Sequence, residues 1–394
     1  MGRQMMEISW TRRNVLSGLL GASAAAMTFG AWANGDDVTA EAALAARMGL
    51  DISADRLRQV KNLLAAHPAV DVHSHPGRFF MRGADLWDQS ARIFLAEEDG
   101  PERSVGDMAA GGLAAACFSV VADMRSLVLT PEGGLRALRP LAEGEIWADY
   151  KRQIGEFRRL LQDGSVSLVS SASDIVRNHA KGQLSAILTA EGGDFLEGDL
   201  GRLAEAWNDG MRSITIVHYR VNEVGDIQTE AATHGGLTPF GADLVRAMNA
   251  QGMLIDLAHA SFETTRQVVA ITQKPVMLSH SHLGDGPGAN PRLISVDHAR
   301  LVAGTGGVIG SWPAGITQRS FGDFITETLR LIDAVGVDHV AIGTDMNANY
   351  RPVFDSYRQW PLAVALLLER KMSEADVAKI IGGNFLRVFA AAAA

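Results

Sequence analysis

Eight short apolar runs punctuate the chain: Ala69–Val72, Leu113–Val121, Leu184–Thr189, Ser213–Val217, Met253–Leu257, Val276–Leu278, Gly307–Gly310 and Val340–Ile342. Most are near-continuously hydrophobic rather than alternating, the pattern of parallel strands covered on both faces. Helical periodicity separates them over Gly201–Asp209, Phe240–Gln251, Ser261–Ile271, Val296–Ala303 and Phe321–Val335, and Glu374–Ile380 follows the last run. This alternation predicts a closed α/β barrel of the (β/α)8, or TIM-barrel, class. Two further helices are expected before the first strand, over Thr39–Leu50 and Asp55–Ala66. The second has an apolar face of Leu57, Val60, Leu63 and Leu64.

Three segments do not fit the repeat. Arg78–Gly111, between the first two strands, reads as a loop insertion over the active face. Thr130–Asp163 reads as mostly helical, and Arg351–Pro361 as an irregular aromatic stretch that can also cover the site. The expected fold is therefore a (β/α)8 barrel with a helical insertion between its first strands.

At 394 residues the chain exceeds the usual domain, but one barrel with insertions reaches this length. Hydrophobic residues make up 47%, enough for a large core, and the 21% of charged residues argues against disorder. The formal net charge of −9 excludes the basic footprint of a nucleic-acid binder. Cys117 is the single cysteine, so no intramolecular disulfide is available; within an apolar run it reads as a buried, inert thiol.

The N-terminus has the parts of an export signal. Arg12-Arg13 precede an apolar run to about Phe29, and Ala31-Trp32-Ala33 offers small residues for cleavage. The paired arginines point to the twin-arginine route. The expected division is a signal peptide over 1–33 and one barrel domain over 34–394, in the periplasm, with no stable membrane span in the mature chain.

The polar residues gather at strand ends. Strand one closes on Asp71-Val72-His73-Ser74-His75, strand three on Glu191-Gly192-Gly193, strand four on His218 and strand five on His259. Strand six closes on Ser279-His280-Ser281-His282 and strand eight on Gly343-Thr344-Asp345. In a barrel the C-terminal strand ends meet on one face. Residues i and i+2 of a strand point the same way, so His73 and His75 can reach one ion. Glu191 has two oxygens and can bridge to a second ion, with His259 and His280 as its other ligands. Nitrogen and oxygen donors of this kind suit zinc and do not exclude manganese, cobalt or iron. Two such ions activate water and clamp the attacking and leaving atoms. Asp345 is placed for proton transfer, His218 for an oxyanion, and Arg292 of Asn290-Pro291-Arg292 for a substrate carboxylate.

These motifs resemble the membrane (renal) dipeptidases of the amidohydrolase superfamily. The resemblance runs from Asp71 to Phe389 and includes the closing Gly382-Gly383-Asn384-Phe385-Leu386-Arg387-Val388-Phe389. It implies a barrel with a binuclear zinc site that cleaves dipeptides and tolerates a D-residue on the C-terminal side. By motif, His73 would bind the first zinc, Glu191 would bridge, and His259 with His280 would bind the second. His218 would steady the oxyanion, Arg292 would hold the substrate carboxylate, and Asp345 would move the proton. The resemblance also allows for a homodimer. One departure stands out: the family's first motif commonly reads His-x-Asp, whereas this chain reads His73-Ser74-His75. Exchanging a carboxylate for an imidazole raises the site's charge by one and bears on metal preference and substrate range. The competing readings are an amidohydrolase acting on another small amide, lactone or ester, and an exported metal-binding protein without turnover.

Overall fold

The computed structural model describes residues 37–85, 100–130, 134–284, 286 and 288–394. The expected signal peptide lies outside the described residues, as does 86–99 of the first insertion.

All eight apolar runs form strands: β1 (Val70–Ser74), β2 (Ala115–Val121), β3 (Leu184–Glu191), β4 (Met211–Thr215), β5 (Leu254–Asp256), β6 (Met277–Ser281), β7 (Val308–Ser311) and β8 (Val340–Ile342). Each pairs in parallel with the next. Asp71 of β1 pairs with Ile342 of β8, which closes the barrel. Every residue of these eight strands except Arg212 is buried, which explains why the runs show no polar alternation.

Helices cover the outside close to their expected bounds: Gly201–Asp209, Pro239–Gln251, Phe262–Ile271, Val296–Gly304 and Phe321–Val335. Thr238, Ser261, Ser295 and Ser320 cap the last four, each side chain accepting an amide three residues on. Such caps contribute about 1 kcal/mol each and fix where a helix begins after its loop.

The barrel interior is a packed core. Val70, Val72, Cys117, Ile187, Leu254 and Met277 cluster with Phe385 and Phe389 of the final helix, Asn384–Ala393, which plugs one end. Asn384 ties that helix to β8 by donating to the Val337 and Val340 carbonyls at 2.7 and 2.8 Å. Gly310 and Gly343 let the strands crowd together: a Cβ would sit 1.7 and 1.8 Å from the Ser279 carbonyl oxygen. Burial holds the Cys117 thiol well above its ordinary pKa, with Asp71 and Asp256 adding to the effect, as an inert thiol requires.

Four expectations need correction. The first insertion is not only loop: Pro76–Met81 forms a 3-10 turn and Gly100–Ala110 a helix. Thr130–Asp163 is helical over Glu145–Leu160, but Leu135–Ala137 pairs with Leu127–Leu129 in an antiparallel hairpin. Within Arg351–Pro361, the aromatic residues Phe354, Tyr357 and Trp360 are buried in the outer core, while Arg351 lines the cleft. The helix expected over Glu374–Ile380 runs over Glu374–Ala378 and passes into a π-turn at Lys379–Gly383. There a Cβ on Gly382 would meet the Pro68 carbonyl at 2.0 Å. Among the described residues, no helix is long and apolar enough to cross a membrane.

Candidate metal centre and active site

The barrel delivers the polar strand ends to one point. His73 and His75 close β1, whose register with β2 shifts between Asp71 and Ser74. Glu191 ends β3, and His280 lies within β6. His218, His259 and Asp345 each follow their strands by three residues. His259 and Asp345 have φ of 64° and 54°, the left-handed region that side chains disfavour. The surroundings hold them there: Gln228 donates its amide to the His259 carbonyl at 2.8 Å, and Asp345 donates its own to the His73 carbonyl at 2.9 Å. Strain of about 1–3 kcal/mol per residue is typical of sites where position matters more than local comfort.

Glu191 lies at the centre. Its Oε1 is 3.4 Å from His73 Nε2, 3.0 Å from His259 Nε2 and 3.5 Å from His280 Nε2. Its Oε2 is 3.2 Å from His75 Nε2 and 3.3 Å from His218 Nε2. The His73 and His75 Nε2 atoms are 3.2 Å apart, as are those of His259 and His280. Asp345 Oδ1 is 3.4 Å from His75 Nε2. Arg292 reaches His259 Nε2 with Nη2 at 3.0 Å and donates from Nη1 to Gln228 at 2.8 Å; its buried Nε has no partner among the described residues. All eight residues singled out in the sequence therefore meet in one buried cluster.

The electrostatics follow from burial and charge. Burial alone would raise the Glu191 pKa, but His218 and His73 outweigh it and hold Glu191 ionised, well below the carboxylate range. Burial pulls the His218 pKa down, yet Asp123 and Glu191 overcome this and lift it to about 9. His259 and His280 are driven well below their ordinary value, first by burial and then by neighbouring cations including Arg292. Burial pushes Asp345 up to about 6; His75 opposes this and Glu191 reinforces it.

This donor set fits a divalent metal. His75 Nδ1 lies 3.0 Å from the Ser119 carbonyl, which only accepts, so in the neutral ring Nε2 is bare. His218 Nδ1 faces Asp123 Oδ1 at 2.6 Å, so its Nε2 is bare in the neutral ring and carries a proton in the cationic one. Bare imidazole nitrogens pointing at a carboxylate repel one another unless a cation or proton lies between them. Bond lengths of about 2.0–2.2 Å in a tetrahedral zinc site place neighbouring ligand atoms roughly 3.3–3.5 Å apart, close to the separations here. His73, His75 and Glu191 form one ligand-distance group, and Glu191, His218 and His259 another. By distance, His218 is therefore as close to Glu191 as His280 is, although the expected second ligand pair was His259 and His280.

Several neighbours were not singled out in the sequence. Asp123 holds His218 and also accepts the Tyr219 amide at 3.0 Å. It lies two residues beyond β2, where the strand-end rule would have found it. Asp256 accepts the Thr215 hydroxyl at 2.6 Å and the Ser279 amide at 2.8 Å, which locks β4, β5 and β6 beneath the site. Asp71 accepts the Thr344 amide at 3.0 Å and the Tyr357 hydroxyl at 2.9 Å. Trp312, after β7, lies under the Arg292 guanidinium with 4.9 Å to the ring centroid. A pocket of about 50 Å³ opens onto Glu191, His218, His259 and Asp345. A cleft of about 720 Å³ shares Tyr219, Arg292, Trp312 and Asp345 with it and leads outward.

A parallel eight-stranded barrel whose strand ends converge on such a pocket has the layout of a barrel enzyme. The chain belongs to the membrane dipeptidase family, Peptidase family M19, whose family model matches residues 57–394. Dipeptidase tcpJ of Claviceps purpurea is 28% identical over 253 residues, 61% of this chain and 59% of that protein. Dipeptidase aclJ of Aspergillus oryzae is 29% identical over 263 residues, 63% and 62% of the two chains. The match thus spans about three fifths of these relatives' length. The probable dipeptidase PvdM from Pseudomonas aeruginosa superposes with a TM-score of 0.70 at 18% identity, over 86% of this chain and 98% of that one. A metallo peptidase from Rhodobacter sphaeroides, bound to a phosphinate mimic of L-Ala-D-Ala, gives 0.69 at 18% identity, over 82% and 99%. At these identities the two structures share the fold.

Proposed function

We propose that this chain is a metal-dependent dipeptidase that holds two divalent ions, zinc by the character of its donors. The observation that carries the reading is the ring of five imidazoles around Glu191, with ligand atoms 3.0–3.5 Å from its oxygens. His73, His75 and Glu191 would hold the first ion, and Glu191, His259 and His280 the second. Ions bound there supply an activated water near neutral pH and polarise the scissile carbonyl.

The chain's own groups do the rest. Arg292, which lines both the inner pocket and the outer cleft, takes the free carboxylate of the dipeptide. His218, kept cationic by Asp123, donates to the oxyanion as the water's oxygen bonds to the carbonyl carbon. Asp345 accepts a proton from the attacking water and passes it to the leaving nitrogen as the C–N bond breaks. A carboxyl pKa of about 6 suits both transfers near neutral pH.

Family membership supports a dipeptide as substrate, and the L-Ala-D-Ala mimic on the Rhodobacter protein makes L-D dipeptides the first to try. Export by the twin-arginine route to the periplasm and assembly as a homodimer complete the proposal. The test is to purify the chain from residue 34, count its metals, and assay L-L and L-D dipeptides before and after chelation. About two divalent ions per chain, with cleavage lost on chelation and restored by zinc, is the expected result. Two ions without cleavage of any dipeptide would move the function to another small amide, lactone or ester. Folded protein that takes up no metal would remove the mechanism.

A further inference from the structure

The 720 Å³ cleft has the size of a site for a drug-sized ligand, so a minimal dipeptide leaves much of it open. Among the described residues its lining holds four arginines, Arg78, Arg292, Arg319 and Arg351, against one carboxylate, Asp345. In a chain of formal net charge −9, this wall inverts the overall sign. Arg292 belongs to the inner site, and Arg78 donates from Nε to the Asn347 carbonyl at 2.6 Å.

Arg319 and Arg351 are different. Both are exposed, and among the described residues neither guanidinium has an ion-pair partner. Asp323, the nearest acid to Arg319 in sequence, is engaged by the Arg319 and Ser320 backbone amides at 2.7 and 2.9 Å and feels the Arg319 charge without a direct ion pair. The Arg351 guanidinium stands 5.1 Å from the Tyr350 ring centroid.

The two loops that carry these arginines are fastened together. The Gly315 amide donates to the Tyr350 carbonyl at 2.9 Å, and the Val353 amide to the Pro313 carbonyl at 3.0 Å. A Cβ on Gly315 would lie 2.3 Å from the Arg351 carbonyl oxygen, so glycine permits the approach. Arg351 has φ of 46°, where a glycine would be unstrained. Backbone strain of this kind clusters where ligands are held.

We infer that Arg319 and Arg351 form a second anion subsite, and that the preferred substrate is a dipeptide with an acidic side chain. One carboxylate binds Arg292 and the other the outer pair. The inference rests on the dipeptidase reading above. An exposed guanidinium–carboxylate pair contributes up to about fivefold, so the two together give a preference of about tenfold, weakened by salt.

The experiment compares kcat/KM for Ala-Glu against Ala-Gln, and Glu-Ala against Gln-Ala, using metal-loaded enzyme at low and high salt. The same ratios are taken for an Arg319→Gln/Arg351→Gln double variant. An acid-over-amide ratio of about ten at one position, falling toward one in the variant and in high salt, is expected. A general loss of folding or chemistry would lower both rates and leave the ratio standing. Cleavage of the Gln dipeptides with no acidic preference overturns the subsite, as does a preference that survives in the double variant. Failure to cleave any of the four while other L-L or L-D dipeptides are cleaved overturns the substrate assignment alone; failure on every dipeptide overturns the dipeptidase reading with it.

Discussion

Asp123 accepts from His218 Nδ1 at 2.6 Å through one oxygen and from the Tyr219 amide at 3.0 Å through the other. The carboxylate thereby fixes the ring's orientation and tautomer, and its charge favours the cationic ring. In Asp123→Asn the charge is lost and one acceptor oxygen becomes an N–H donor, so only one of the two contacts keeps its acceptor. Outer partners of this kind are worth about 10–100-fold in activity or metal affinity. We expect kcat to fall within that range. Activity that needs cationic His218 is lost as pH rises through its pKa. With the main opposing charge to burial removed, that pKa drops from about 9, and the alkaline limb of the pH–rate profile moves down. An unshifted limb would remove His218 from the proton inventory.

Asp345 makes a sharper prediction because it stands beside the donor ring, with Oδ1 3.4 Å from His75 Nε2. Asp345→Asn keeps the size and a hydrogen-bonding oxygen but cannot carry the proton. A loss of kcat of about 10²–10⁴-fold is expected, with KM changed much less and both metals retained. Near-normal turnover at full metal occupancy would assign the proton transfer to another group. A metal count that falls together with rate would make Asp345 a ligand.

Much of this was legible in the sequence for physical reasons. Parallel barrel strands are buried on both faces, so their runs are continuous and easy to find, and all eight were located. Polar residues at the ends of apolar strands are costly to bury without partners, which made His73, His75, Glu191, His218, His259, His280 and Asp345 stand out. Asp123 escaped because it sits two residues past β2 with no neighbouring histidine to draw attention. The hairpin at Leu135–Ala137 has three-residue strands, too short for a periodic signal. The helix Trp360–Glu369 is apolar nearly all round and has no amphipathic stripe to read. Arg319 and Arg351 are ordinary surface arginines in sequence; only the loop pairing at Gly315 places them on one cleft.

Glycine usage separates tight packing from mere tolerance. At Gly310 a Cβ would be 1.7 Å from the Ser279 carbonyl oxygen and 2.9 Å from Val72 Cγ2. Gly310→Ala must push β7 away from β6 and disturb the floor of the site, at a cost of about 3 kcal/mol. Gly155, exposed in the helix Glu145–Leu160, has nothing within 4 Å of the added carbon. Gly155→Ala should stabilise by about 0.5–1 kcal/mol through helix propensity. Urea midpoints of the two variants against the parent protein check the contrast, and equal shifts would contradict it.

His298 gives a pH dependence that can be isolated from the metal centre. It is 3% exposed on the helix Val296–Gly304, with Nε2 2.8 Å from Thr265 Oγ1. Burial lowers its pKa from 6.5 to about 4. Between those values the unfolded chain binds a proton that the folded chain refuses, so stability rises with pH. The contribution is fully present above pH 6.5 and is lost as pH falls toward 4, a total of about 3 kcal/mol. Metal ligands titrate in the same window, so the comparison belongs in chelated protein, parent against His298→Gln. The variant should have lower stability at pH 7 if the Thr265 contact is spoiled, but a flatter decline between pH 6.5 and 4. Parallel stability curves for the two proteins would mean that His298 takes up its proton in the folded state as readily as in the unfolded one.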